Sequence, residues 1–327
     1  MGVNPLMQHR VIRCFYHVLL LVSLVYACTE VATVSTQTEL EDAITCASTG
    51  LTNEIIIDSP ISLQYTVLIR NVTNLVILGY DVVNGEDIVW AGAGSSGRLF
   101  DISSSSLTFS NLNLRGSPIS GSLNIIESSI NFYRVQINPE FAASAASTTH
   151  GCGIFANMSQ IVLNESSVFN WSCERGAGVE LLKSELNVFR SNITNNVALL
   201  DGGGVYAGNS CQVYIRESEF RSNSAGPGRS GGGLFTEEAV FTLIEDSAFV
   251  SNEAAYGSAI FISGSSLSEG ILLNMRSTVL SGNAASMIGG IYIDVPSVLS
   301  HITCTDNSGY LAGIVRSRLL CLCACLF

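Results

Sequence analysis

Phe220-Arg221-Ser222-Asn223-Ser224-Ala225, followed by Gly231-Gly232-Gly233-Leu234-Phe235, decides the fold, because both strings return along the chain at a nearly fixed distance. The glycine string is small-small-small, then aliphatic, then usually aromatic. It recurs as Gly151-Cys152-Gly153-Ile154-Phe155, Gly176-Ala177-Gly178-Val179-Glu180, Gly202-Gly203-Gly204-Val205-Tyr206 and Gly257-Ser258-Ala259-Ile260-Phe261. Looser copies are Gly289-Gly290-Ile291-Tyr292 and Ala312-Gly313-Ile314-Val315. The aliphatic positions 154, 179, 205, 234, 260, 291 and 314 are spaced by 25, 26, 29, 26, 31 and 23 residues. The asparagine string recurs as Ile193/Asn196/Ala198, Phe249/Asn252/Ala254 and Leu280/Asn283/Ala285, fading to Cys304/Asn307/Gly309.

Short alternating stretches such as Gln212-Val213-Tyr214-Ile215 and Val240-Phe241-Thr242-Leu243 precede the asparagine string. Period-two alternation rich in β-branched and aromatic residues means strands. A repeat of about 25 residues holds three short strands and three turns, too few for a propeller blade of about 40. No long 3.6-residue period runs through the repeats, which excludes helical solenoids. What remains is an all-β coil: each repeat makes one turn and pairs in parallel with the turns above and below. Glycine permits tight corners, the aliphatic residue after it points inward, and the asparagines form a ladder of side-chain amides. With turns about 4.8 Å apart, about ten coils make a right-handed parallel β-helix roughly 50 Å long.

Working outward from the repeats, Glu54–Asp58, Val67–Ile69 and Leu75–Leu78 read as strands, and Gly97-Arg98-Leu99-Phe100 and Gly121-Ser122-Leu123-Asn124 as weak glycine corners. Residues 138–150 read as a loop thrown out from one corner. Thr36-x-x-Glu39 is a capping box ahead of Leu40, Ala43, Ile44 and Ala47 on one helical face. It predicts a short helix over residues 37–48 that covers the open end of the solenoid, within a β-helix domain of residues 28–318. The last residues, 319–327, form a Cys/Leu-rich tail without an amphipathic cap. That points to a truncated end, to a crude plug, or to end-to-end self-association through the open edge.

Arg10 and Arg13 precede an apolar run from Phe15 to Ala27, about 13 residues and short of the ~20 that span a bilayer. Residues 1–27 therefore read as a secretory signal peptide, with lipidation of Cys28 the lesser alternative beside bulky Tyr26. No other segment is apolar enough to span a membrane. The chain has 327 residues with 15 Lys+Arg, 27 Asp+Glu and a net charge of −12, and loss of the leader's two arginines makes it −14. Lys183 is the single lysine. An acidic chain without a basic patch is repelled by phosphate, which excludes nucleic acid as a partner. Five Asn-x-Ser/Thr sequons, at Asn71, Asn157, Asn164, Asn170 and Asn192, are candidate glycosylation sites in an exported protein. Nine cysteines follow the leader, an odd number whose pairing the spacing leaves open. None has zinc-site spacing, and Cys321-x-Cys323-x-Cys325 on one strand face is poor geometry for an ion.

The cap followed by strand coils resembles right-handed parallel β-helix proteins of the pectin-lyase-like superfamily. The paired Gly-Gly-x-aliphatic and Phe-x-x-Asn strings, best in Phe220/Asn223 with Gly231–Leu234, resemble the repeats of polymorphic outer-membrane proteins. The close likeness covers about residues 150–315 and the looser one reaches back to about residue 30. The resemblance implies the fold, and for the outer-membrane relatives adhesion from a membrane barrel that this chain does not show. Function separates easily from fold.

Many proteins of this fold cleave acidic polysaccharides. The Asn-Thr-Asp, Asp-Asp, Gly-His-Gly and Arg-Ile-Lys strings that such hydrolases share are absent here. Acids cluster only at Glu217/Glu219, Glu237-Glu238 and Glu245-Asp246, and read as solvated outer-face charges. Arg190, Arg216 and Arg276 recur beyond strand centres; Arg216 beside Glu217 and Arg190 beside Glu185 read as a cation row for an acidic sugar or, more simply, as charge pairing between neighbouring coils. His150 and His301 lie six coils apart and make no dyad or metal site. The expected function is a secreted, non-catalytic, structural or adhesive protein without cofactor or metal, binding carbohydrate or a cell-surface protein. The alternative is a polysaccharide lyase or hydrolase, intact or degenerate. Because strand side chains alternate, Phe155, Tyr206, Phe235, Phe261 and Tyr292 should form an outer column broken at Glu180. It is either a stack that shields the sheet or a candidate binding stripe, with Tyr206, Phe235 and Phe261 foremost.

Overall fold

The structure is a computed structural model and describes residues 28–79, 88–91, 97–140, 151–238, 240–264, 272–309, 314–316 and 325–326. The expectations for the leader and for residues 319–324 of the tail lie outside them. The chain winds as a parallel β-solenoid. One coil runs Val179–Leu182, Glu185–Phe189, Asn192–Thr194 and Val197–Ala198, then turns through Gly202-Gly203-Gly204 into Val205–Ala207 of the next. The first of these segments builds a sheet of ten strands, so the described chain makes nine turns, close to the ten coils expected. The second and third faces merge into one larger sheet because Leu273–Ser281 and Ser297–Thr305 run through both. Pairing between coils is parallel and in register, as in Val205↔Leu234 and Leu234↔Ile260.

The aliphatic column after the glycines is the core of the first face: Ile154, Val179, Val205, Leu234, Ile260 and Ile291 have no exposed surface. Its upstream members are Leu123 and Phe100, so the column residue at the earlier weak corner is Phe100 and not Leu99. The second and third faces stack aromatics inside, Phe109 on Phe132 at 5.5 Å and Phe220 on Phe249 at 4.7 Å. Gly231 sits at φ +66, and a Cβ there would lie 2.6 Å from the Phe235 Cβ, so no side chain fits this corner.

The four coils that begin at Ile154, Val179, Val205 and Leu234 each also turn at three left-handed residues that are not glycine, and other coils at fewer. In one coil they are Lys183, Arg190 and Asn195, at φ 50, 47 and 56. Each costs on the order of 1 kcal/mol. A polar ladder runs beside each corner and offsets that strain. After the first, Ser105, Ser128, Ser159 and Ser184 each accept from the backbone N–H one coil earlier at 3.0–3.1 Å. After the second, Ser166, Ser191, Ser218 and Ser247 do the same at 3.0–3.2 Å. Each such hydroxyl also donates back across the left-handed residue, as Ser191 Oγ does to the Phe189 carbonyl at 2.7 Å. After the third lie the asparagines. Asn196 donates to Asn223, Asn223 to Asn252, Asn252 to Asn283 and Asn283 to Asn307, all at 2.9–3.1 Å. The first four are fully buried with both ends of the amide satisfied, since each Nδ2 also reaches a carbonyl such as that of Ile193. The ladder ends upstream at Trp171, whose backbone N–H donates to Asn196 Oδ1 at 3.1 Å.

The helix spans Gln37–Ser48 with the complete Thr36/Glu39 capping box. It buries Leu40, Ala43, Ile44 and Ala47 and lies against strands Val31–Val34, Ile61–Leu63 and Val67–Arg70. A disulfide joins Cys46 to Cys28. That leaves the Cys28 sulfur unable to carry a thioether lipid. Residues 138 and 139 of the loop expected at 138–150 are strand instead, within Gln136–Pro139 paired with Asn113–Gly116. Residues 141–150, with His150, lie outside the described residues.

Candidate functional site: an aromatic column and the rows beside it

Alternation on the first face turns the residue after each core aliphatic outward. Tyr206, Phe235, Phe261 and Tyr292 follow one another in register, and their rings stack at 5.0, 5.2 and 4.7 Å with interplanar angles of 11°, 3° and 8°. Phe155 belongs to the same column one coil above Glu180. Glu180 is not a gap in it. Its carboxylate takes two hydrogen bonds from Arg175, at 3.0 and 2.6 Å, and the Arg175 guanidinium lies 4.3 Å above the Tyr206 ring. A flat cation therefore continues the stack where the aromatic is missing. Arg175 sits in the corner five residues before Glu180, and its counterparts on the next two coils are Asp201 and Ser230, so no recurring residue type announces it.

The column is sheltered more than outward alternation alone implies. Tyr206 and Phe235 are 6% and 7% exposed, while Phe155, Phe261 and Tyr292 are half-buried. Burial pushes the Tyr206 hydroxyl up to about 12, and it donates to Glu237 Oε2 at 3.1 Å. The ring faces between Tyr206 and Tyr292 are occupied by one another and the column offers its edges outward. A sugar that packs on an aromatic face has no free face along this stretch.

Several arginines pair across coils instead of with the acid nearest in sequence. Arg134 pairs with Glu165 and Arg190 with Glu217, both at 2.8 Å, along the second left-handed corner. Arg216 and Arg276 both hold Glu245, each at 2.8 Å, from the coils on either side. Glu245 is thus not a solvated acid. Its side chain is 7% exposed, and although burial pushes its carboxyl up, the two arginines outweigh this and hold it below the usual range. Arg221 bonds Glu219 on its own strand, and Glu185 accepts from Gln160 and Asn187 rather than pairing with Arg190. Glu237 and Glu238 are exposed at a strand end, and His301 occupies an exposed left-handed corner. Among the described residues no group of three His, Cys, Asp or Glu side chains could hold a metal ion. Among them, too, no helix is long and apolar enough to cross a membrane.

Two features were invisible in the sequence. The first is the pair of serine ladders. The second is a polar groove of about 790 Å³ along the first left-handed corner, which crosses six successive coils and is walled by Thr73, Ser106, Ser129, Gln160, Glu185 and Gln212. The ladders also bear on the sequons. Asn157-Met158-Ser159 and Asn164-Glu165-Ser166 are each a strand end, a left-handed residue and a ladder serine, so the fold itself calls for the serine there. Asn157 and Asn164 are half-buried, whereas Asn71, Asn170 and Asn192 are exposed.

Fold and surface together define a parallel β-solenoid with ladders inside and rows of like side chains outside. No protein-family model matches the chain. No curated protein matches it either. Among solved structures it is similar to the surface adhesin PfbA of Streptococcus pneumoniae, at 9% identity over 89% of this chain and 90% of that one, with a TM-score of 0.35. A likeness of that size carries nothing about function.

Proposed function

We propose that the chain is a secreted, non-catalytic solenoid with a structural or adhesive role, presenting its length to a glycan or to a cell-surface protein. The observation that supports this reading best is the register. Because rungs superpose residue on residue, the outside carries continuous rows, a column of stacked rings and a polar groove across six coils. Such a surface matches an extended partner rather than a small molecule held in a cleft. The carboxylates of Glu245, Glu217 and Glu180 are each held by arginine. The right-handed sense of the coil, kinship with pectin-lyase-like proteins and outer-membrane repeats, export by residues 1–27 and glycans on the sequons belong to the same proposal.

Within it, the ring column is the stiffening element of the first face, and contact with a partner falls on the half-buried edges of Phe261 and Tyr292 and on the groove. A panel of polysaccharides and cell surfaces tests the reading. Saturable binding without turnover is the expected result. Calcium-dependent cleavage of pectin or alginate would replace the proposal with a carbohydrate-active enzyme. Binding that survives Gln160→Ala/Gln212→Ala and Phe261→Ser/Tyr292→Ser in folded protein would remove both surfaces from it.

A further inference from the structure

Cys152 and Cys173 are fully buried thiols at the two ends of one coil. Cys152 occupies the middle of the glycine corner Gly151-Cys152-Gly153, where the next coil has Ala177, and Cys173 occupies the short fourth face, paired with Ala198. Both therefore replace alanine in positions that point inward. Their side chains are in hydrogen-bonding contact with each other, and Cys152 Sγ also lies 3.9 Å from the carbonyl of Ser172, the neighbour of Cys173. The coil they close is the one at which the amide ladder stops, because Trp171 stands where the later coils have asparagine. A cross-link here would tie the coil's ends together where the ladder no longer does.

We propose that Cys152 and Cys173 form a second disulfide in the oxidised protein, beside Cys28–Cys46. Two thiols lose two protons and two electrons, and the sulfurs join. A thiol–disulfide oxidant, a protein or glutathione disulfide, takes the electrons and leaves as two thiols. The inference rests on the chain meeting an oxidising compartment, as its proposed export implies. Burial pushes the Cys173 thiol up, which keeps the thiolate scarce once the coil has closed. The bond accordingly forms during folding rather than after it. Cys211 stands in the first serine column, where it replaces the ladder serine and has no thiol neighbour among the described residues.

The test is a disulfide map of the full chain directed into the secretory lumen of a eukaryotic host, where the host imposes the oxidising poise whatever the chain's own destination. The protein is denatured, alkylated without reduction, digested and weighed. The expected result is a peptide linking Cys152 to Cys173, with Cys211 alkylated. Alkylated Cys152 and Cys173 in a protein that contains Cys28–Cys46 would overturn the proposal without touching the export reading. A link from either cysteine to any other partner, or a map with no disulfide at all, would overturn it as well. A second readout separates a bond from mere packing. Cys152→Ala, Cys173→Ala and the double variant should lower Tm by the same amount, about 5–10 °C, because any one of them removes the whole cross-link. Additive losses mean two independently packed thiols and sink the idea.

Discussion

A single buried amide does the work of several groups in this molecule, and Asn223 shows how. Its Oδ1 accepts from the backbone N–H and the Nδ2 of Asn196, and its own Nδ2 donates to Asn252 and to the Ile193 carbonyl. Asn223→Ala leaves those partners buried and unpaired. At about 1–3 kcal/mol for each stranded group, a loss of some 3 kcal/mol or more is expected in urea denaturation. A loss below about 0.5 kcal/mol, the level of an ordinary surface substitution, would mean that water replaces the ladder. Glu245 makes the electrostatic counterpart. Its carboxyl titrates below its ordinary value of 4.5 in the folded chain because Arg216 and Arg276 outweigh its burial. Its stabilising contribution is thus fully present above that ordinary value and is lost as pH falls through the depressed folded one. The urea midpoint should drop less between neutral pH and pH about 3 in Glu245→Gln than in the parent. Equal drops in both proteins would show that Glu245 is not held this way.

At the scale of elements, what could be read beforehand was what repeats with one residue type. Leu234 and its column, the Asn196–Asn307 ladder and the Thr36/Glu39 cap each show a distinctive side chain at a fixed offset, and all three stand in the structure. The corners hid because their left-handed residues share no chemistry: Met158 and Lys183 occupy equivalent first bends, and Arg190 and Glu217 equivalent second bends. The ladder serines hid because serine is common throughout this chain, so its recurrence at Ser159, Ser184, Ser191 and Ser218 did not stand out. The stripe was half legible. Alternation named its five aromatics, but sequence could not show that Arg175 fills the break or that Tyr206 and Phe235 are nearly buried. Replacing Phe235 and Phe261 by Ser removes three ring stacks at about 0.5–1.5 kcal/mol each, besides the apolar burial. Stability should fall by about 3–5 kcal/mol. A melting temperature unchanged in that double variant would show that the column carries no load. Binding retained in full by the folded variant would remove the Phe261 edge from the proposed contact surface and leave the groove.

For the whole molecule the consequence is cooperativity. A solenoid has only neighbour contacts, so its stability is a sum of coil terms and interface terms. Here the coils from Trp171 to Asn307 share a continuous amide ladder, whereas the described coils before Trp171 are joined by apolar stacking such as Phe109 on Phe132 and by the serine columns. The backbone amides of Asn196, Asn223 and Asn252 each bond the side chain of the next coil's asparagine. In hydrogen exchange these amides should open together, with one free energy, and later than the amides of Val72 and Ser105, which bond serines. The far-ultraviolet spectrum of the same protein should be that of a β-protein, since the one described helix has 12 residues, and a helix content near a third would end the solenoid reading. Leu234→Asp tests the coupling directly. It buries a carboxylate in the middle of the laddered coils, where no counter-charge faces inward among the described residues. Its effect should spread along the ladder, raising exchange at Asn196 and Asn252 together by a similar factor while Val72 and Ser105 change less. Faster exchange confined to the strand Leu234–Glu237 would mean that each coil opens alone and that the ladder stabilises locally without coupling one turn to the next.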